Sequence, residues 1–294
     1  MKIGITVPNN WGVEDVRDVV ALGQSAEQLG FDSIWTMDHL LNIGFVRDRL
    51  DNKPYYHPMA ILSFLAARTT RITLGTSVMV LPYHNPIELA KYSATLDQLS
   101  GGRFVLGVGA GGTRVESDAL GLDFHRRGAI SNEMMRVMRE LWTADMPAFS
   151  GANWRFDDLR FSPKPVQRLL PMWVGGASRG ALKRAATLGD GWHPNGLSPD
   201  DYRAGVEQIT EMATAAGRDP GQIYLSLRAN IRLNPPVGAA PSRFDGSSED
   251  MVNAIGDYGR VGVEHVVLAP DSGDVARVRD KMDQIARDVI PAFR

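Results

Sequence analysis

Short runs of β-branched and apolar residues alternate along the chain with longer stretches whose apolar positions recur every three to four residues. Residues 3–7 read as a first strand. Residues 13–29 place Val16, Val19, Val20 and Leu29 at helical spacing, and Gly30 stops the helix. A second strand is expected at 33–36, then a loop through Tyr56, a helix over 58–68 and a third strand over 71–80. The next helix is well punctuated: Asn85 suits its N-cap, Pro86 its first position and Glu88 the position three after the cap. It ends near Ser100-Gly101-Gly102, a C-cap signal. A fourth strand follows at 103–106, with helices from Arg114 and over 128–141. Further strands are expected at 172–174, 191–193, 223–232 and 265–268. Helices are expected over 179–188, 200–216, 249–259 and 274–290. Two stretches break the rhythm. Residues 147–165 alternate Trp154, Phe156, Leu159 and Phe161 around Asp157-Asp158, which reads as a hairpin-like insertion. Residues 234–248, rich in Pro, Gly and Ser, read as a mobile loop.

Eight strand–helix units predict an α/β fold, a (β/α)8 TIM barrel with insertion segments, as one domain over 1–294. At 294 residues with 44% hydrophobic and 22% charged, the chain can bury a large core without metal or disulfide. Its 32 basic and 34 acidic residues give a net charge of −2, which argues against a general nucleic-acid binder. It has no cysteine, so disulfides, thiolate metal sites and a cysteine nucleophile are excluded. Neither an export segment nor a membrane-spanning run is visible, and a cytoplasmic location is expected.

Active sites of such barrels lie where strands end and loops begin. Gly107-Val108-Gly109-Ala110-Gly111-Gly112 follows the fourth strand and contains G-x-G-x-x-G. Bare backbone and a following helix N-terminus suit an anionic ligand, although a lone match is equally the mark of a tight turn. A Rossmann nicotinamide site is disfavoured by the strands and helices that precede it. Gly175-Gly176-Ala177-Ser178 repeats the logic before a helix carrying Arg179 and Lys183, where Ser178 also suits ordinary capping. Asp38-His39 closes the second strand, and an acid beside a histidine suits proton transfer; the plainer reading makes Asp38 a cap and His39 merely exposed. His57, His84, His193 and Asn195 also fall near strand ends, as lone residues usually explained by packing. Trp11, Tyr55, Tyr56 and Trp192 are candidates to wall a flat ligand. No spacing suggests a metal site.

The segment Leu89-Ala90-Lys91 and Ala94-Thr95-Leu96-Asp97-Gln98-Leu99-Ser100-Gly101-Gly102-Arg103-Phe104-Val105-Leu106-Gly107-Val108-Gly109-Ala110-Gly111 closely resembles the bacterial luciferase-like monooxygenase superfamily. Thr36-Met37-Asp38-His39, Gly75-Thr76-Ser77-Val78, His84-Asn85-Pro86 and Gly175-Gly176 fall in the expected order. Within it, the chain looks most like oxidoreductases that use the deazaflavin coenzyme F420. The resemblance implies a ring lying against Thr76, Ser77 and Val78, with a cis peptide between Ser77 and Val78. It implies Asp38 and His39 near the ring edge and the substrate. It also implies a coenzyme phosphate held by Gly107, Gly109, Ala110, Gly111, Gly175, Gly176 and Ser178. The sugar-phosphate dehydrogenase branch carries a glutamate where this chain has Ala110, which departs from that pattern.

The expected reaction is hydride transfer between the deazaflavin C5 and a small organic substrate, with His39 moving the accompanying proton. The rival readings are an FMN-dependent monooxygenase served by a partner reductase, and a non-catalytic flavin-binding protein. A homodimer is expected through the helices 56–68 and 87–99, where Ile61, Leu62, Phe64 and Leu65 offer apolar surface unless they only face the barrel.

Overall fold

The computed structural model describes residues 1–233 and 242–294. Eight parallel strands line the barrel: β1 (Lys2–Thr6), β2 (Ser33–Thr36), β3 (Thr73–Thr76, resumed at Met79–Val80), β4 (Phe104–Gly109), β5 (Met172–Gly175), β6 (Gly191–His193), β7 (Tyr224–Ile231) and β8 (His265–Pro270). Each pairs with its neighbour in sequence. Ile3 against Val266 closes the ring between β1 and β8. This is the (β/α)8 barrel that eight strand–helix units predict. The main apolar core lies between strands and helices, where Leu22, Leu62, Leu65, Leu96 and Met138 are fully buried.

The strands depart from the sequence reading in two places that matter. The third strand is interrupted by a cis peptide between Ser77 and Val78, at the position implied by the family resemblance. The fourth strand runs to Gly109, three residues beyond the expected end. Gly107 and Gly109 are therefore strand residues, and of the two Gly109 lines a cavity at the strand ends. They are flanked by backbone partners, Gly107 by Trp173 on β5 and Gly109 by Val80. A Cβ on Gly107 would lie 1.8 Å from the Thr76 carbonyl oxygen, and one on Gly109 would lie 2.7 Å from Val78 Cγ2. These glycines let β4 pass under the interrupted strand.

Other differences are local. The first helix starts at Val16, because the Asp15 side chain accepts from the Arg17 amide. An extra helix, Phe45–Leu50, lies within the expected loop before Tyr56. In the segment 147–165, Phe149–Ser150 pairs antiparallel with Arg155–Phe156. Of the loop at 234–248, residues 234–241 lie outside the described residues. Asp245 ties the remainder down by accepting from the amides of Arg232 and Ser242. Three of the four apolar residues expected at a dimer face are turned inward: Ile61, Leu62 and Leu65 are buried, whereas Phe64 is 53% exposed. Among the described residues, no helix is long and apolar enough to cross a membrane.

Inside the barrel, aromatic and polar side chains form one connected stack. Trp35 stacks on Trp173 at 5.2 Å and on His193 at 5.0 Å, and Trp173 stacks on Tyr224 at 4.8 Å. Trp35 Nε1 donates to Ser33 Oγ, which also meets His265 Nε2 at 2.7 Å. Burial pushes both His193 and His265 down to about 3.

Two predictions follow from this interior. Gly107→Ala drives a Cβ into backbone that cannot yield, so the loss should exceed the ~1–3 kcal/mol of ordinary overpacking. Its melting temperature should fall by about 6 °C or more, at roughly 2–4 °C per kcal/mol. The unfolded chain binds protons on His193 and His265 near the usual value of about 6.5, whereas the folded chain refuses them until about 3. Stability should therefore decline as pH falls between those values. His265→Asn should remove one histidine's share of that slope, measured by denaturant unfolding across the acid range.

Candidate active site

The C-terminal ends of the strands form a mouth whose loops are tied to one another. Asn9, buried after β1, donates through Nδ2 to the carbonyls of Met37 and Tyr56 and accepts from the Met37 amide. This clamp fixes the chain after β2, where Asp38 and His39 leave the barrel in different directions. Asp38 is buried and accepts from the Val80 amide at 2.9 Å and from His84 Nε2 at 2.7 Å. His39 instead lies 2.5 Å, through Nδ1, from Glu116 Oε2. The two neighbours are thus not an acid–base pair. Asp38 braces the restart of β3, and His39 has its own carboxylate.

Glu116 comes from the short helix Arg114–Ala119 that follows the glycine run. Its side chain is fully buried. Its Oε1 accepts from the amides of Leu40 and Leu41 at 2.8 and 3.1 Å. Burial pushes this carboxyl up, but the His39 contact and the two amides outweigh it and hold it below its usual value. A carboxylate on Nδ1 fixes the imidazole orientation and leaves Nε2 as the working nitrogen. Around the ring stand Phe45, Tyr55 and Tyr83, with ring centroids 5.2, 5.9 and 6.5 Å away. Sequence reading found His39 but missed Glu116, which lies 77 residues further along the chain. Ala110 carries no acid, and Glu116, six positions later, is committed to His39.

The interrupted third strand is held from beneath. Ser77 Oγ lies 2.9 Å from His193 Nε2, and His193 Nδ1 lies 2.7 Å from Ser226 Oγ. Ser226 donates its own proton to the Trp192 carbonyl, so it accepts from Nδ1–H. The neutral imidazole then accepts from Ser77 through Nε2. Thr76 is fully buried and donates to the Gly107 carbonyl at 2.8 Å. Thr76 and His193 therefore build the floor and do not face the mouth. Trp192, expected as a wall, is fully buried and donates to the Gly176 carbonyl at 2.8 Å.

Two cavities open beside this floor. One, of about 440 Å³, gathers Val78, Gly109, Ala110, Gly111, Gly175, Gly176 and Ser178, all expected at a coenzyme site. It adds His125, Arg127 and Arg184, which sequence reading missed. Among the described residues no acid lines it. Arg127 donates to the Gly111 and Phe124 carbonyls, and Arg184 to Asn132 Oδ1 and the Gly128 carbonyl. Both guanidinium charges are thus held by neutral acceptors. The helix Arg179–Thr187 begins here with Ser178 as its cap, and the helix Arg127–Thr143 begins on the same wall. Two helix N-termini, two arginines and a glycine at φ +91°, Gly176, make a cradle for a phosphate. The second cavity, of about 410 Å³, is lined by Asn10, Trp11, Met37, Arg49 and Arg228, among others.

The sequence model of the luciferase-like monooxygenase family matches residues 1–264. The chain belongs to this family. It is 29% identical to an F420-dependent glucose-6-phosphate dehydrogenase of Intrasporangium calvum, over 95% of each chain. It is 33% identical to an FMNH2-dependent dimethylsulfone monooxygenase of Pseudomonas putida, over 71% of this chain and 56% of that protein. Among solved structures, an F420-dependent secondary alcohol dehydrogenase bound to an F420–acetone adduct superposes with a TM-score of 0.81 and 22% identity, covering 100% of this chain and 99% of that one. That likeness establishes the shared barrel.

The buried contact between His39 and Glu116 makes a stability prediction for this luciferase-like chain. Because its folded value lies below the unfolded one, Glu116 stabilises the fold above the ordinary carboxylate range. That contribution disappears as pH falls through the lowered value. Glu116→Gln should therefore lower the melting temperature near neutrality and flatten its acid decline, recorded by calorimetry at a series of pH values.

Proposed function

We propose that the protein is an F420-dependent oxidoreductase that moves a hydride between C5 of the deazaflavin and a small organic substrate, with His39 handling the proton. Two supports are the family membership and the end-to-end similarity to an F420-dependent dehydrogenase. The observation that carries the chemistry is the His39–Glu116 contact at the barrel mouth. When bound, F420 supplies a two-electron carrier that reacts poorly with oxygen. The acid-free cradle fits its phosphate: Ser178, Arg127 and the amides around Gly111 and Gly176 would hold it. Val78 lines the same cavity and offers an apolar face beside the cradle.

The remaining work falls to the chain's own side chains. In oxidation of an alcohol, His39 Nε2 takes the hydroxyl proton as the hydride departs from carbon, and Glu116 stabilises the resulting imidazolium. In reduction, the same nitrogen returns the proton to the new alkoxide. Phe45, Tyr55 and Tyr83 limit water around the imidazole. Ala110 departs from the glutamate of the sugar-phosphate branch, which points to another substrate. The similarity to an FMNH2-dependent enzyme supports FMN as the second reading, since a phosphate cradle serves either coenzyme. We also propose a cytoplasmic location and a homodimer, the latter supported by exposed Phe64, Tyr92 and Leu99 on adjacent helices.

Titration of the apoprotein with oxidised F420 and, separately, FMN tests the coenzyme directly through fluorescence quenching. Micromolar affinity for F420 with weak FMN binding is expected, and the reverse preference would sink the deazaflavin reading. With the first substrate found to reduce F420, His39→Ala should lower kcat by about 10²–10⁴-fold while leaving the coenzyme Kd unchanged. A variant that loses coenzyme affinity but keeps its turnover would remove His39 from the chemistry.

A further inference from the structure

Two guanidinium groups line the second mouth cavity, and among the described residues no carboxylate pairs with either. Arg49, from the helix Phe45–Leu50, lies over the Trp11 ring at 4.4 Å, and its Nε is buried without a hydrogen-bond partner. Arg228 projects from β7 and is held by neutral groups: its Nε donates to Asn195 Oδ1 at 3.1 Å, and its Nη1 to the Ser77 carbonyl at 3.3 Å. Its Nη2 reaches Asn230 Oδ1 at 3.4 Å. Among the described residues, neither arginine forms an ion pair. Arg232, on the same wall, is paired with Asp245. Among the described residues the one acid lining the cavity, Asp271, accepts from the Leu233 amide at 2.7 Å. Asn10 Oδ1 is a second buried polar atom in this cavity without a partner.

This arrangement is unfavourable for the protein alone. Burial pushes Arg228 down to about 10; Tyr55 opposes the shift, and the like charge of Arg49 adds to it. Arg49 is lowered by burial as well. Desolvated cations that repel one another are compensated when an anion sits between them, because charge-assisted bonds in a sheltered site are strong. Tyr55 connects this cavity to the chemistry. It interacts electrostatically with both arginines and stands 5.9 Å from the His39 ring.

We infer that the cavity between Arg49 and Arg228 is an oxyanion subsite, and that the substrate carries a carboxylate or phosphate seated there. The inference rests on the proposed function only in calling the occupant a substrate. The anion anchors one end of the molecule while the carbon that exchanges hydride lies on the His39 side. A neutral alcohol or ketone of the same shape leaves both cations uncompensated and binds weakly.

Calorimetric titration with inorganic phosphate, lactate and lactamide tests this. The protein is first loaded with whichever of F420 or FMN it binds, so that the phosphate cradle is filled. One of the two anions should bind at one equivalent and lactamide should not; which anion binds separates the phosphate from the carboxylate source. Arg49→Met and Arg228→Met should each weaken that anion by roughly tenfold or more, with Arg228→Lys falling between, and Arg49→Met should leave the coenzyme Kd unchanged. Arg49 sits on a short, partly exposed helix, so its variant decides the matter even if Arg228→Met fails to fold. Repeating the titration on apoprotein, with Arg49→Met marking the mouth, keeps the result independent of which coenzyme binds. Three outcomes would overturn the subsite: neither anion binding the wild type, an anion bound equally by the Arg49 variant, or an Arg49 variant that loses coenzyme in place of anion.

Discussion

The contact between Ser77 Oγ and His193 Nε2, 2.9 Å long, is the constraint around which the barrel mouth is arranged. With the imidazole neutral and Nδ1–H given to Ser226, Nε2 accepts from Ser77. Complete burial under Trp35 and the bond to Ser226 enforce that state. The third strand is thereby seated at the point where it breaks and resumes. The glycines of β4 complete the seat, since any side chain at Gly107 would collide with the Thr76 carbonyl. An aromatic and polar interior, unusual beside the branched aliphatic layers common in such barrels, is thus tied to the shape of the floor above it.

On that floor, charge is distributed with a consistent sign. Each cavity carries at least one arginine held by neutral acceptors, Arg228 in one and Arg127 and Arg184 in the other. Most nearby acids are withdrawn into buried structural bonds: Asp38 to His84 and the Val80 amide, Glu116 to His39 and the Leu40 and Leu41 amides. A mouth built this way presents positive charge at both ends. Between the two ends stands one histidine whose partner keeps it oriented. That division suits a coenzyme phosphate on one side and an anchored substrate on the other, with proton movement between.

Asp38 and His39 show why adjacency in sequence misleads about pairing. Consecutive residues leaving a strand project to opposite sides, so a neighbouring acid and base point away from each other. Each then finds a partner far along the chain, Asp38 at His84 and His39 at Glu116. The G-x-G-x-x-G run divides between strand and loop. Its first two glycines continue β4 because strands on both sides offer ladder partners, and only Ala110 and Gly111 reach the cavity as loop.

The alternation of short apolar runs and amphipathic stretches determined the eight-unit barrel, because hydrophobic periodicity is a local property of the chain. Motif order placed the family, the mouth residues and the Ser77–Val78 peptide. Helix ends at Asn85 and Gly101 were legible for the same local reason: caps are short-range hydrogen bonds. The tertiary structure alone decided the partners. Glu116 beside His39, Arg127 and Arg184 in the cradle, and the opposed Arg49 and Arg228 are brought together by strands and helices far apart in sequence. No local pattern marks a residue for a neighbour that only barrel closure supplies. The physical reason is that charge pairing and burial depend on distance in space, which one-dimensional spacing does not carry.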